Sequence, residues 1–325
     1  MPTLLDLVFI VAFLIAIFFG SYAYFRLPVS PDAEFFSSIL IGHRGAMGDK
    51  TDHVAENSIS AAKYAFEKGA QGVEMDIMLS KDQHPIVFHD PIFTDRVCKP
   101  LNDQIKLDMQ QGEIPVQRIS SMTLSEIKRY EFVKGPTHER IPTLYEYIDG
   151  INDELLYKNK VVMIEVKEFS TKGAKAIVGK IQDVFFRNKH LYNCSVVASF
   201  NPLVLYFVRK ADPNIITLLI TKKGALEAFS KEHIKVSTAP EWVKSILTKS
   251  VYVLDYFFFL SCTTWLLAFL GVGVISFEHN HIKSDYEEIK KFQKRGYQVN
   301  VWTVNDVKER EELMNLGVAV TTDWF

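Results

Sequence analysis

The segments Gly72-Val-Glu74-Met-Asp76-Ile-Met78 and Lys160-Val-Val-Met-Ile-Glu165-Val166 decide how this chain folds. Both are apolar, β-branched runs interrupted by carboxylates. In the first, Glu74 and Asp76 stand at i and i+2; in the second, Glu165 is followed two residues later by Lys167. On a strand that spacing puts both side chains on one face. The residues between them are equally apolar, so the strands should be buried on both sides, as in a parallel sheet covered by helices. An unpaired carboxylate in such a place costs several kcal/mol. These acids must pair with buried cations such as Arg44 or Lys167, or hold a metal ion.

Outward from these two, strand-like runs recur at Ser38–Gly42, Pro85–His89, Ser195–Ser199, Ile215–Ile220, Val272–Phe277 and Gln298–Val304, eight in all. Helical patterns lie between most of them, at Ser58–Lys68, Leu144–Tyr157, Ala174–Asn188, Leu203–Lys210, Ser284–Arg295 and Val307–Asn315. The first has Asn57 as its expected cap and Gly69 as its stop. Repeated βα units of this number predict an α/β fold, a (β/α)8 TIM-type barrel over residues 38–325 with insertions. An open doubly wound sheet is the alternative. In a barrel the reactive groups gather at the carboxyl ends of the strands. His43, Asp76, His89, Lys167, Ser199 and Asn305 all fall at or just past such ends.

A net charge of −2, with mixed signs and no basic-aromatic stripe, gives no case for nucleic acid. The three cysteines (Cys98, Cys194, Cys262) form no CxxC pair, which argues against a zinc–thiolate site and a disulfide framework and leaves at most one bridged pair. Leu7–Phe25 carries no charge across 19 residues and has no basic residue before it. That is long for a secretory signal and sufficient for a bilayer span, so residues 1–27 read as a retained membrane anchor, with 28–37 as a linker. Arg26, the only basic residue flanking the span, points to a cytosolic body. The sequon Asn193-Cys194-Ser195 points to a lumenal or extracellular, glycosylated one and tips the reading that way, at the endoplasmic reticulum or plasma membrane.

A second uncharged run, Tyr256–Phe277, is interrupted by Gly271 and Gly273, and its last part is needed as a strand. The remainder, Tyr256–Leu270, is too short to span comfortably. Upstream, Trp242, Val243, Ile246, Leu247 and Val251 share one helical face bordered by Lys244 and Lys249. The insertion 221–271, after the sixth strand candidate, is therefore expected to be a membrane-surface helix followed by an interfacial or re-entrant element, rising from the catalytic face. A dimer contact or a covered core is the alternative.

Taken in order, His43-Arg44-Gly45, Glu56-Asn57, Gly72 to Asp76, Pro85 to Asp90, Ile141-Pro-Thr-Leu144, Glu165-Val-Lys167, Ser199-Phe200, Trp302-Thr-Val-Asn305 and Gly317 to Asp323 resemble the glycerophosphodiester phosphodiesterase family. The resemblance runs from about Ile39 to the C-terminus, and the anchor and length are similar to a membrane-bound animal branch. Each fragment alone is weak; their order is specific. The resemblance implies a TIM-type barrel, one divalent cation, and hydrolysis of glycerophosphodiesters to an alcohol and a glycerol phosphate. Carried over by position, Glu74, Asp76 and Glu165 would hold the metal and His43 and His89 would be the acid–base pair. Arg44 and Lys167 would face the phosphate, with Glu56, Asn57, Ser199, Trp302 and Asn305 around the substrate. Ser58 stands where the family usually has Thr, Ala55 where it has Pro, and the C-terminus lacks a usual Pro, but no chemical group of the site is lost.

A thiolate-free site with three carboxylates favours hard cations, Mg²⁺ ahead of Ca²⁺. Two histidines suit an in-line displacement, one taking the attacker's proton and the other protonating the leaving alkoxide. Arg44 suits bidentate contact with a phosphate. Expected substrates are glycerophosphoinositol, glycerophosphocholine or -ethanolamine, and glycerophospho-N-acylethanolamine. The alternatives are a lysophospholipase D with the same site and a membrane adaptor with an inactive barrel. Trp302 either walls the pocket or packs, and His279 and His281 either touch substrate or sit in a solvated loop. His53, His84, His138 and Cys262 read as structural.

Overall fold

The computed structural model describes residues 13, 17, 19–48, 53–93, 98–100, 117–136, 138–227, 230, 241–283 and 286–325. Eight parallel strands form one sheet: β1 Leu40–Gly42, β2 Gly72–Leu79, β3 Val161–Val166, β4 Ser195–Ser199, β5 Thr217–Thr221, β6 Val274–Glu278, β7 Gln298–Trp302 and β8 Ala319–Thr322. Strand β1 pairs with β8 (Leu40 opposite Val320) and also with β2 (Ile41 opposite Gly72), so the sheet closes on itself. Closure removes every edge and rules out the open doubly wound sheet. All residues of β2 and β3 are buried, as their two-sided apolar pattern requires.

The count of eight is right, but one member differs from the expectation. Pro85–Val87 is not a barrel strand; it runs antiparallel along the end of β2, with Val87 opposite Ile77. The connection Ser80–His84 is far too short for a parallel crossover and can only make a hairpin. The closing strand is instead β8, a four-residue Ala-Val-Thr-Thr run with little apolar signal of its own. The insertion expected after the sixth strand thus follows the fifth barrel strand. The helix cap also differs: Ser58, not Asn57, accepts from Ala61 N at the start of helix Ile59–Glu67. Among the described residues the three cysteines are free and buried, so no pair is bridged.

Of the apolar stretch Leu7–Phe25, the described residues are Phe13, Ile17 and Phe19–Phe25, all helical; the remainder of the expected span lies outside the described residues. Between β5 and β6 the expected break between a surface helix and an interfacial element is missing. One helix, Glu241–Thr263, runs through both, because no Gly or Pro interrupts it. It is long and apolar enough to cross a membrane by length and composition, yet it leaves β5 and returns toward β6, which are hydrogen-bonded neighbours. Asp255, buried, accepts from Gly224 N and Leu226 N (2.7 Å each), just past the catalytic end of β5. At ~1.5 Å per residue, the 14 residues from Glu241 to Asp255 rise roughly 20 Å beyond that rim. Ile246, Leu247, Tyr252, Val253 and Leu254 are exposed along this arm, whereas Cys262, Leu266, Leu267 and Leu270 pack into the barrel core.

At the opposite end of the barrel, the chain entering the fold is clamped to this insertion. Tyr22 contacts Trp265 and Phe269 edge-on or tilted, Leu27 N donates to Phe269 O, and buried Arg209 donates to Pro28 O. A cavity of about 270 Å³ opens here, lined in part by Arg26, Ser30, Asp32 and Arg295, away from the acidic cluster. Gly271 ends helix Leu266–Leu270 at φ +60°, and an added Cβ would fall 1.9 Å from Pro28 O. Gly271→Ala should therefore destabilise the fold by about 1–3 kcal/mol through strain and overlap together. A urea denaturation midpoint equal to that of the wild type would contradict this clamp.

Candidate active site

Strands β1, β2 and β3 are adjacent in the barrel, and their carboxyl ends bring the sequence-predicted acids together. Glu74, Asp76 and Glu165 are 1%, 1% and 7% exposed, and one ligand oxygen from each lies within 4.8 Å of the others. Two cations are woven among them. Lys167 pairs with Asp76 Oδ1 at 3.1 Å and with Glu165; Arg44 Nε lies 3.6 Å from Asp76 Oδ2, and its Nη1 donates to Glu56 at 3.1 Å. Asn57, at φ +60°, holds Asp76 from both sides: Nδ2 donates to Oδ2 at 2.9 Å, and Oδ1 accepts from Asp76 N at 3.0 Å. Arg44 N donates to Glu74 Oε2 at 2.7 Å, and Glu74 Oε1 is buried without a hydrogen-bond partner among the described residues.

The electrostatics follow from that census. Burial works against ionisation of Asp76, but Lys167, His89, Arg44 and the Asn57 hydrogen bond together hold its carboxyl well below the usual range. Glu74 goes the other way: burial first, then Asp76 and Glu165, push it well above the ordinary carboxylate value. Burial opposes the charge on Lys167, yet Asp76 and Glu165 raise its pKa. Counting Glu56, four carboxylates meet two cations here, and Glu74 is the one whose ionised form burial and its acidic neighbours disfavour. A buried oxygen without a donor, in an all-oxygen set of this size, suits a hard divalent cation.

Both histidines are oriented by an acid. His43 Nδ1 lies 2.6 Å from Asp323 Oδ1, and His89 Nδ1 lies 2.7 Å from Asp90 Oδ1. Asn305 donates to Asp323 Oδ2 at 2.9 Å and accepts from Asp323 N, so it positions the acid behind His43. Burial opposes it, but the bonds from His43 and Asn305 hold Asp323 below its ordinary value. Ser199 is occupied within the protein: it donates to Val166 O and accepts from Asn201 N. Trp302, partly buried, meets Phe200 edge-on at 5.8 Å. His279 and His281 are paired with Glu309 and Glu288 of the following helices, at 3.2 and 3.1 Å, and not in a solvated loop.

Comparison with known proteins gives the family and the fold. The profile of the glycerophosphoryl diester phosphodiesterase family matches residues 43–324. This chain belongs to that family. Glycerophosphodiester phosphodiesterase 1 of Bos taurus is 28% identical over 290 residues, 87% of this chain and 77% of the relative. The human counterpart is 27% identical over the same length. A glycerophosphodiester phosphodiesterase of Caldanaerobacter subterraneus is 32% identical over 58% of this chain and 69% of its own. Among solved structures, an Oleispira antarctica phosphodiesterase in complex with the product sn-glycerol-3-phosphate superposes with a TM-score of 0.62 at 20% identity, covering 90% of this chain and 96% of that one. A glycerophosphodiester phosphodiesterase from Parabacteroides distasonis gives 0.58 at 23% identity, over 88% and 92%.

Within this family frame, sequence reading left out the acids behind the histidines. Asp323 stood in a quoted motif without a role, and Asp90 is simply the neighbour of His89. The signal available for both was a carboxylate beside a strand-end histidine, or opposite one across the barrel closure. The raised Glu74 pKa carries a consequence for cation binding. An ion held by Glu74 would compete with a proton there, so its affinity should rise with pH through the range in which Glu74 titrates and flatten above it. Calorimetry in buffers of different ionisation enthalpy should show proton release on Mg²⁺ binding, largely lost in Glu74→Gln; equal heats in all buffers would contradict the assignment.

Proposed function

We propose that this chain hydrolyses glycerophosphodiesters to an alcohol and a glycerol phosphate, with Glu74, Asp76 and Glu165 holding one divalent cation. The observation that carries this reading is the convergence of three buried carboxylates, two partly buried cations and two acid-oriented histidines on one rim. The cation, Mg²⁺ ahead of Ca²⁺, would neutralise charge building on the non-bridging phosphate oxygens. Arg44 and Lys167, beside the same acids, would give the phosphate charge-assisted hydrogen bonds. Because Asp323 and Asp90 each take the Nδ1 of one ring, Nε2 of His43 and of His89 is the atom left for the substrate. One Nε2 removes the proton of the attacking oxygen, whether of water or of the adjacent glycerol hydroxyl, and the other protonates the departing alkoxide. Asp90 and Asp323 each hold one ring in a fixed orientation.

His43→Ala and His89→Ala should each lower kcat/KM by ~10²–10⁴, the usual worth of one acid–base group. EDTA should abolish turnover and Mg²⁺ restore it, read as release of glycerol phosphate. Turnover that survives EDTA, or a His43→Ala enzyme with full activity, would overturn the reading.

A second layer concerns how the substrate arrives. The arm Glu241–Leu254 stands beside the mouth with Ile246, Leu247, Tyr252, Val253 and Leu254 exposed, and the N-terminal helix, itself apolar, meets the foot of the same insertion at Tyr22, Trp265 and Phe269. We infer that a bilayer covers this flank, anchored by residues 1–27, and that acylated diesters such as lysophospholipids or glycerophospho-N-acylethanolamines reach the site from it. Exposed Asn193 fits a lumenal or extracellular catalytic domain. Burying each of these side chains in lipid is worth about 1.5–3 kcal/mol. Replacing Ile246, Leu247, Val253 and Leu254 by Ser should lower kcat/KM on lysophosphatidylcholine in vesicles at least ~tenfold, leaving glycerophosphocholine in solution within about twofold. Equal effects on both substrates would count against the lipid-facing arm.

A further inference from the structure

The rim opposite the acidic cluster carries its own set of polar and aromatic groups, and two of them, Lys222 and Glu278, have no part in the reading above. Phe200 and Lys222 stand immediately after β4 and β5, and Glu278 and Trp302 are the last residues of β6 and β7, paired in register. They connect in one unbroken row to the reacting centre. Lys167 Nζ lies 5.8 Å from the centre of the Phe200 ring, Phe200 meets Trp302 across the mouth at 5.8 Å, Lys222 Nζ lies 5.9 Å over the Trp302 ring, and Lys222 pairs with Glu278 Oε1 at 2.8 Å. Both members of the pair are partly exposed, at 38% and 23%. The pair thus stays within reach of solvent at the carboxyl ends of β5 and β6.

The chemistry of this row selects one kind of group. A trimethylammonium headgroup needs an open aromatic face or an unpaired carboxylate. Here Lys222 already covers the Trp302 ring and neutralises Glu278. A hydroxyl, in contrast, accepts from an ammonium and donates to a carboxylate at once, so adjacent hydroxyls of a polyol can insert into such a pair without leaving either charge unmatched. Resting on the diesterase reading above, we propose that the Lys222–Glu278 pair, seated beside Trp302, is the leaving-group subsite and selects polyhydroxylated headgroups over quaternary ammonium ones.

The test compares glycerophosphoinositol with glycerophosphocholine as substrates of the full chain and of Lys222→Met, Glu278→Gln and Lys222→Arg, with kcat and KM measured separately. A site that reads hydroxyls loses discrimination sharply when one partner is removed. The ratio of kcat/KM, inositol over choline, should fall at least ~tenfold in Lys222→Met and in Glu278→Gln, mainly through KM, and stay within about threefold in Lys222→Arg. If one variant misfolds, judged by its melting temperature, the other still decides. A ratio that does not move, or two substrates that lose activity together, overturns the subsite. A wild-type chain that cleaves neither diester overturns the diesterase reading itself, a failure that cannot be mistaken for an unchanged ratio.

Discussion

Everything at the mouth follows from a shortage of positive charge. Three carboxylates are delivered by β2 and β3 into a space under 5 Å across, where water cannot screen them. Arg44 pairs with Asp76 and Glu56 and Lys167 with Asp76 and Glu165, so each cation is held in place by the acids it neutralises and neither is left for Glu74 alone. The remaining imbalance sits on Glu74, whose ionised form is disfavoured by burial and by its neighbours. A fold would discard such an arrangement if it served stability alone, since a buried charge cluster rarely outperforms apolar packing. Its place at the carboxyl ends of two otherwise apolar strands is the physical reason to read the barrel as a catalyst.

The barrel divides the labour between its two halves. Strands β1 to β3 supply the charges, and β4 to β7 supply Phe200, Lys222, Glu278 and Trp302. Strand β8 closes the circle and carries Asp323 just beyond its end, opposite His43 on β1's extension. That pairing explains why so short a strand matters. Without the β1–β8 register, the acid that orients His43 would have no fixed position, and the Asn305 bond that holds it would have no partner.

How much of this was legible in the sequence depends on where the information resides. The acids of β2 and β3 were readable because i, i+2 spacing on a buried strand is a local rule, and the barrel followed from the repetition of βα units. Pro85–Val87 was misplaced because its composition is that of a strand; only the short connection at Ser80–His84 shows that it must be antiparallel. Ala319–Thr322 was missed because closure is a non-local fact, and four residues with two threonines give little periodic signal. The roles of Asp323 and Lys222 were likewise out of reach, since each depends on a neighbour 280 or 56 residues away along the chain. Asn57 illustrates the intermediate case: next to a helix start it read as a cap, but a positive φ frees its side chain to grip Asp76, and Ser58 does the capping.

The insertion between β5 and β6 ties these parts together. An outer helix of a barrel normally buries one stripe along its whole length. Glu241–Thr263 does so only near its end, where Cys262 enters the core; above Asp255 Ile246, Leu247, Tyr252, Val253 and Leu254 are exposed among the described residues. Asp255 is the hinge of the argument, because its two backbone hydrogen bonds fix the segment directly following Lys222. The loop that carries Lys222 to Glu278 is thus fastened to the same helix that projects its apolar arm past the mouth. A barrel acting only on small, freely diffusing diesters has no need of that arm. One acting on diesters with a lipid tail needs the mouth beside the surface from which the tail comes, and the shared Asp255 anchor places the arm and the Lys222 loop on that same side.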